Sequence, residues 1–121
     1  MNKNIAGIVV LYNPDEGQLL RNIGSYLPFI DKLFVIDNTE RPALNNLQEK
    51  LQSLQGVNYT ANKTNEGIAA ALNKGAAMAS ENGYRWLLTM DQDSFFEDGQ
   101  ADLYFSVSDR EFLNKNDIAL L

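Results

Sequence analysis

Trp86-Leu87-Leu88-Thr89-Met90-Asp91-Gln92-Asp93-Ser94 is a short apolar run that breaks off on two carboxylates. Its length and character are those of a buried strand, since nothing within it neutralises a charge. Asp91 and Asp93 therefore stand where the chain leaves a sheet. In extended chain, positions i and i+2 point the same way, so both carboxylates reach one site. Two hard oxygen ligands at a strand end suit Mg²⁺ or Mn²⁺, ions held by one or two carboxylates together with substrate phosphates. The triplet has an ordinary explanation too: with nine Asp in 121 residues, chance alone supplies about 0.7 Asp-x-Asp. Its weight comes from its place after a strand and from the residues around it.

Upstream, Ile5 to Tyr12 is a β-rich run ended by Asn13-Pro14, a turn signal that also suits a helix start. Asp15 to Tyr26 carries Leu19, Leu20, Ile23 and Leu27 at helical spacing, with Pro28 as the stop. Lys32 to Ile36 is a second strand, ending on Asp37-Asn38-Thr39. Pro42 opens an amphipathic stretch with Leu44, Leu47, Leu51 and Leu54, closed by Gly56. Val57 to Ala61 forms a third strand. Gly67 to Ser80 is an Ala-rich helix ended around Asn82-Gly83. Tyr84 to Met90 is the fourth strand, Asp102 to Leu113 a further helix, and Ile118 to Leu121 the start of another strand. Strands that are continuous apolar runs, alternating with helices, predict an α/β fold: a mostly parallel open sheet with helices on both faces. Domains seldom end within an element, so the rest of a single catalytic domain is expected beyond this chain. An exposed sheet edge, and with it a homo-oligomer, is the corollary.

Composition narrows the chemistry. The formal net charge of −6 argues against nucleic acid or an anionic membrane surface as the main partner. There is no Cys and no His. Thiolate chemistry, Ser-His-Asp triads and His-rich zinc sites are thereby excluded, leaving Asp or Glu as the simplest general base. No phosphate-loop pattern and no Gly-x-Gly-x-x-Gly fingerprint occurs, which counts against an ordinary ATPase or NAD enzyme. No segment approaches the roughly 18–20 apolar residues needed to cross a bilayer. Ile5 to Leu11 follows Lys3 as a leader core would. It is short, however, contains Gly7, and ends in Tyr12-Asn13-Pro14-Asp15 rather than in a small-residue cleavage site. The expected compartment is the cytoplasm, with the full-length protein peripheral at the inner face of the membrane.

In an open parallel sheet, ligands bind outside the carboxyl ends of the strands, where strand order reverses. The first strand delivers Tyr12, Asn13 and Pro14 to that edge, the second Asp37, Asn38 and Thr39, and the fourth Asp91, Gln92, Asp93 and Ser94. The turn into the Ala-rich helix adds Asn65, Glu66 and Gly67. Tyr12 offers a flat ring for a base, or is a core-edge Tyr. Asp37 accepts from a base N–H or a ribose hydroxyl, or caps an Asx turn. Gly67 lets a ligand approach a helix N-terminus, or merely serves a helix-entry turn. Gly75 inside the helix is explained by close packing on the sheet, and Lys74 by a solvated helix face or by a phosphate.

Four blocks in order resemble family 2 glycosyltransferases. They are Ile8-Val9-Val10-Leu11-Tyr12-Asn13-Pro14, Val35-Ile36-Asp37-Asn38-Thr39, Asn65 through Gly75, and Leu88-Thr89-Met90-Asp91-Gln92-Asp93-Ser94. The Asp-Gln-Asp-Ser ending and the Asn-x-Gly-Ile-Ala block look most like the bacterial rhamnosyltransferase branch. The resemblance implies a GT-A fold and inverting transfer from a nucleotide-diphosphate sugar, dTDP-L-rhamnose or a UDP-sugar, to a glycan or lipid-linked acceptor of a bacterial surface polysaccharide. It matches Tyr12 and Asp37 to base contacts, Asp91 to a ribose or diphosphate contact, and Asp93, with Asp91, to the Mg²⁺ or Mn²⁺ site. It also implies that residues 1–121 are the donor-binding part, with the acceptor part and the general base downstream. Glu97 and Asp98 follow the metal motif too soon for that role, so the fragment is expected to be inactive. Two other readings stay open at this point, a sugar-nucleotidyltransferase and a receiver-like binding module. The first would normally show a Gly-rich basic loop after the first strand, where this chain has acidic Asp15-Glu16. The second clusters carboxylates after the first strand, whereas here they follow the second and fourth.

Overall fold

The computed structural model describes residues 4–40, 46–111 and 119–120. Five parallel strands form one sheet in the order β3-β2-β1-β4-β5. They are β1 (Ile5–Leu11), β2 (Lys32–Asp37), β3 (Val57–Ala61), β4 (Trp86–Met90) and β5 (Ala119–Leu120). The helices are α1 (Glu16–Gly24), α2 (Leu47–Ser53), α3 (Ile68–Glu81) and α4 (Gln100–Glu111). Among the described residues no helix is long and apolar enough to cross a membrane.

Alternation along the central strands builds two apolar faces, as period-2 side chains require. Val9, Leu11, Leu33 and Val35 pack against Leu19 and Ile23 of α1 and Leu47 and Leu51 of α2. Ile5 and Leu88, on the same side of the sheet, meet Ala101 and Phe105 of α4. The opposite face, with Ala6, Ile8, Phe34, Ile36 and Leu87, packs on Ala71 and Ala79 of α3. The expected α/β architecture with helices on both faces is therefore observed. Gly75 is the close approach foreseen for it: an added Cβ would meet Ile8 Cδ1 and Cγ2 at 2.9 Å. The helix lies too near β1 for any side chain there.

Several boundaries differ from the sequence expectation. Helix α1 ends at Gly24, before Pro28 is reached; the Ser25 hydroxyl donates to Asn22 O at 2.6 Å. Pro28 instead lies in a 3-10 turn, Leu27–Phe29. Asp37 belongs to β2, in register with Leu11 and Ala61. Gly67 precedes α3 at φ +87°, a backbone region favouring glycine. Strand β4 begins at Trp86 rather than Tyr84, and α4 begins at Gln100. Pro42, Leu44, Phe112, Leu113, Ile118 and Leu121 lie outside the described residues.

The topology positions the site. The chain steps outward from β1 to β2 and β3, then crosses back over the sheet through α3 to β4 on the other side of β1. Strand order reverses between β1 and β4, and a crevice opens at their carboxyl ends.

Candidate functional site

A cavity of about 540 Å³ occupies that crevice, within the size range of small-molecule sites, about 300–1,000 Å³. Val10, Met90, Ile68 and Leu72 supply an apolar floor and wall, while Tyr12, Asn38, Asn65, Thr89, Asp91, Gln92 and Asp93 supply its polar groups. Of the residues proposed from sequence, Tyr12, Asn65, Asp91 and Asp93 line this one cavity. Asn13, Asp37 and Gly67 flank it without lining it.

Each group is held by local geometry. Tyr12 follows β1 with its ring 44% exposed, and its hydroxyl donates to Glu40 Oε1 at 3.0 Å. That hydrogen bond and the Glu40 charge raise the phenol above its ordinary range. Asn13 takes a positive φ of 45° and donates its N–H to Thr39 Oγ1 at 2.9 Å, tying the end of β1 to the end of β2. Asn65 Oδ1 accepts from Gly67 N–H at 3.0 Å, an Asx turn that launches α3 at the cavity rim.

The second strand ends in a network of which the sequence announced only the Asx turn at Asp37. Asp37 is 6% exposed and accepts from Thr39 N–H at 3.0 Å and from the Tyr59 hydroxyl at 2.5 Å. Burial first, then the Asp37 hydrogen bond and charge, push the Tyr59 phenol up. Asn38, also buried, donates to Gly67 O at 3.2 Å and accepts from Asn62 Nδ2 at 2.7 Å. Asn62 Oδ1 in turn accepts from Lys74 Nζ at 2.5 Å, and Lys74 pairs with Glu66 at 3.3 Å. Lys74 is thus engaged within the protein. Beyond that turn, the cue to this network was a Tyr on a short strand, two residues after Val57, facing the same way as its neighbour's terminal Asp.

Asp91 and Asp93 differ from Asp37 in every respect. Both are exposed, and among the described residues neither carboxylate has a hydrogen-bond or ion-pair partner. The backbone here is a turn, not the extended chain expected: Ser94 N–H donates to Asp91 O at 3.0 Å. Both residues nonetheless line the cavity. Among the described residues no three His, Cys, Asp or Glu side chains gather into a closed cage. Two carboxylates alone leave coordination positions to a phosphate-bearing ligand and water, the donor set that suits Mg²⁺ or Mn²⁺. Glu97 and Asp98 are exposed and line no part of the cavity.

Sequence reasoning placed Gln92 at this edge without giving it a role and missed Asn22 and Ser25, which hold the turn in place. Asn22 had a visible signal: it occupies the apolar face of α1 with Leu19 and Ile23, where a buried amide needs a partner.

Comparison with known proteins addresses the same span. The sequence model of glycosyl transferase family 2 matches residues 8–102. The dTDP-rhamnosyl transferase RfbF of Shigella flexneri is 32% identical over 98 residues, covering 78% of this chain and 31% of that protein. The chain thus spans about a third of the length of the curated relative it matches. Because the matched span runs from inside β1 through the cavity-lining carboxylates into α4, the chain belongs to glycosyl transferase family 2.

Proposed function

We propose that this chain binds the donor in a glycosyl transfer, a nucleotide-diphosphate sugar. Rhamnose carried on dTDP is the first choice and a UDP-sugar the second. The observation that carries the proposal is the convergence of Tyr12, Asn38, Asn65, Asp91 and Asp93 on one crevice in a family 2 chain. The likeness to the dTDP-rhamnosyl transferase of Shigella flexneri supports the choice of sugar and carrier.

The residues divide the ligand between them. The exposed Tyr12 ring packs the base, and Asn13 and Asn65 offer amides at the rim. Asp37 keeps lone pairs beyond those used by Thr39 and Tyr59, and one of them accepts from the base or the ribose. Gly67 brings the N-terminus of α3, with its free N–H groups, to the phosphate side. Asp91 and Asp93 would hold Mg²⁺ or Mn²⁺, which supplies neutralisation of the charge developing on the departing nucleotide diphosphate. The acceptor, a glycan or lipid-linked glycan of a bacterial surface polysaccharide, and the inverting displacement belong to the whole domain, of which residues 1–121 form the donor part.

Calorimetric titration with dTDP and UDP, each with and without Mn²⁺, tests the reading. Metal-dependent binding, tighter for dTDP, is the expected result. A folded chain that binds neither nucleotide with metal overturns it.

A further inference from the structure

The last paired residues of β1 and β4 are Val9 and Met90, yet β1 runs on to Leu11 alongside β2. Beyond Met90 the two strands part, and the cavity fills the gap. At the edge of this gap β4 supplies no backbone acceptor to the Tyr12 N–H. Gln92 provides one: its Oε1 accepts from Tyr12 N–H at 2.8 Å. A side chain lying between the two carboxylates in sequence thus bridges the mouth of the crevice.

The bridge is anchored behind. Gln92 O accepts from Asn22 Nδ2 at 3.2 Å, and Asn22 is 6% exposed on α1. Ser25 Oγ accepts from Phe96 N–H at 2.9 Å while donating to Asn22 O. The end of α1 therefore grips both ends of the segment from Gln92 to Phe96.

We infer that Gln92 is a positioning residue whose side-chain amide spans the gap between β1 and β4 and sets the distance from the Tyr12 platform to the Asp91 and Asp93 carboxylates. The inference rests on the proposed donor-binding role. A base on Tyr12 and a diphosphate at the carboxylates belong to one ligand of limited length. The two ends of the site must then be held at a matching span, and a shift of about 1 Å at one end is costly.

Two replacements isolate the bond. Gln92→Met keeps length and volume but removes the acceptor oxygen, whereas Gln92→Glu keeps an oxygen at the same reach. Amide hydrogen exchange at Tyr12 is expected to accelerate about tenfold in Gln92→Met and to stay slow in Gln92→Glu. With Mn²⁺ present, dTDP affinity of Gln92→Met should fall about three- to tenfold, the loss of one hydrogen bond's worth of placement. Circular dichroism melting checks the fold, and Gln92→Leu gives a second acceptor-free side chain should Met fold poorly. Equal Tyr12 exchange in wild type and the acceptor-free variants overturns the inference. So does equal dTDP affinity in a wild type that binds, and either result leaves the donor-binding function standing. A wild type that binds neither dTDP nor UDP overturns the function, and the inference with it.

Discussion

Asp37 closes β2 and Asp93 follows β4, on either side of β1. Asp37 is buried and already serves Thr39 and Tyr59, in a network that runs on through Asn38, Asn62 and Lys74. Asp93 is exposed at a turn and has no partner among the described residues. The same side chain at the same kind of position thus does two jobs. One carboxylate is turned inward to order the ends of β2 and β3, while the other is left facing the cavity. What separates them is the sheet order: β2 is flanked by β1 and β3, whereas the end of β4 lies beside the crevice.

The largest effect that would break this contrast is on stability. Asp37→Asn replaces an acceptor pair with one acceptor and one amide donor, facing a hydroxyl and an N–H. Urea unfolding should show a loss of about 2–3 kcal/mol. A loss below about 0.5 kcal/mol would show that Asp37 does not order these strand ends.

Asp93→Asn should do the reverse. Unfolding stability stays within about 0.5 kcal/mol of wild type, while Mn²⁺-dependent nucleotide binding weakens at least about tenfold, or ~1.4 kcal/mol. Asp98→Asn, exposed and away from the cavity, should leave binding unchanged. Equal losses from Asp93 and Asp98 would remove Asp93 as a ligand.

Alkaline pH sharpens the inward side. Tyr59 keeps its proton to higher pH in the folded chain than in the unfolded one, where a phenol titrates near 10. Stability from this group is full below about pH 10 and declines as pH rises above it, because the unfolded chain releases the proton first. Urea unfolding followed upward from about pH 8 should show that decline, and Tyr59→Phe should flatten it at a cost of about 1 kcal/mol at neutral pH. Tyr26, buried and likewise raised, leaves a residual slope.

The smallest change tests the exposed side. Tyr12→Phe removes the exposed bond to Glu40 and should leave both unfolding stability and nucleotide affinity essentially unchanged. Tyr12→Ala also removes the ring and should weaken binding severalfold, read by the same calorimetry.

Much of this molecule was legible along the chain. Continuous apolar runs such as Ile5–Leu11, alternating with helical stretches, dictate parallel βαβ units, because periodicity and turn chemistry are local properties. Gly75 announced a close helix–sheet contact, and Asp91 and Asp93 announced themselves by following a strand. The tertiary structure alone decided that β4 returns beside β1 to open the crevice, and that Asp37 also holds Tyr59. It alone brought Gln92 to Tyr12 across 80 residues and Asn22 to Gln92 across 70. The physical reason is that a polar side chain finds its partner only after strand order has been set. Hydrogen bonds are short and directional, and no pattern of neighbours in sequence reveals which distant N–H will be left without an acceptor.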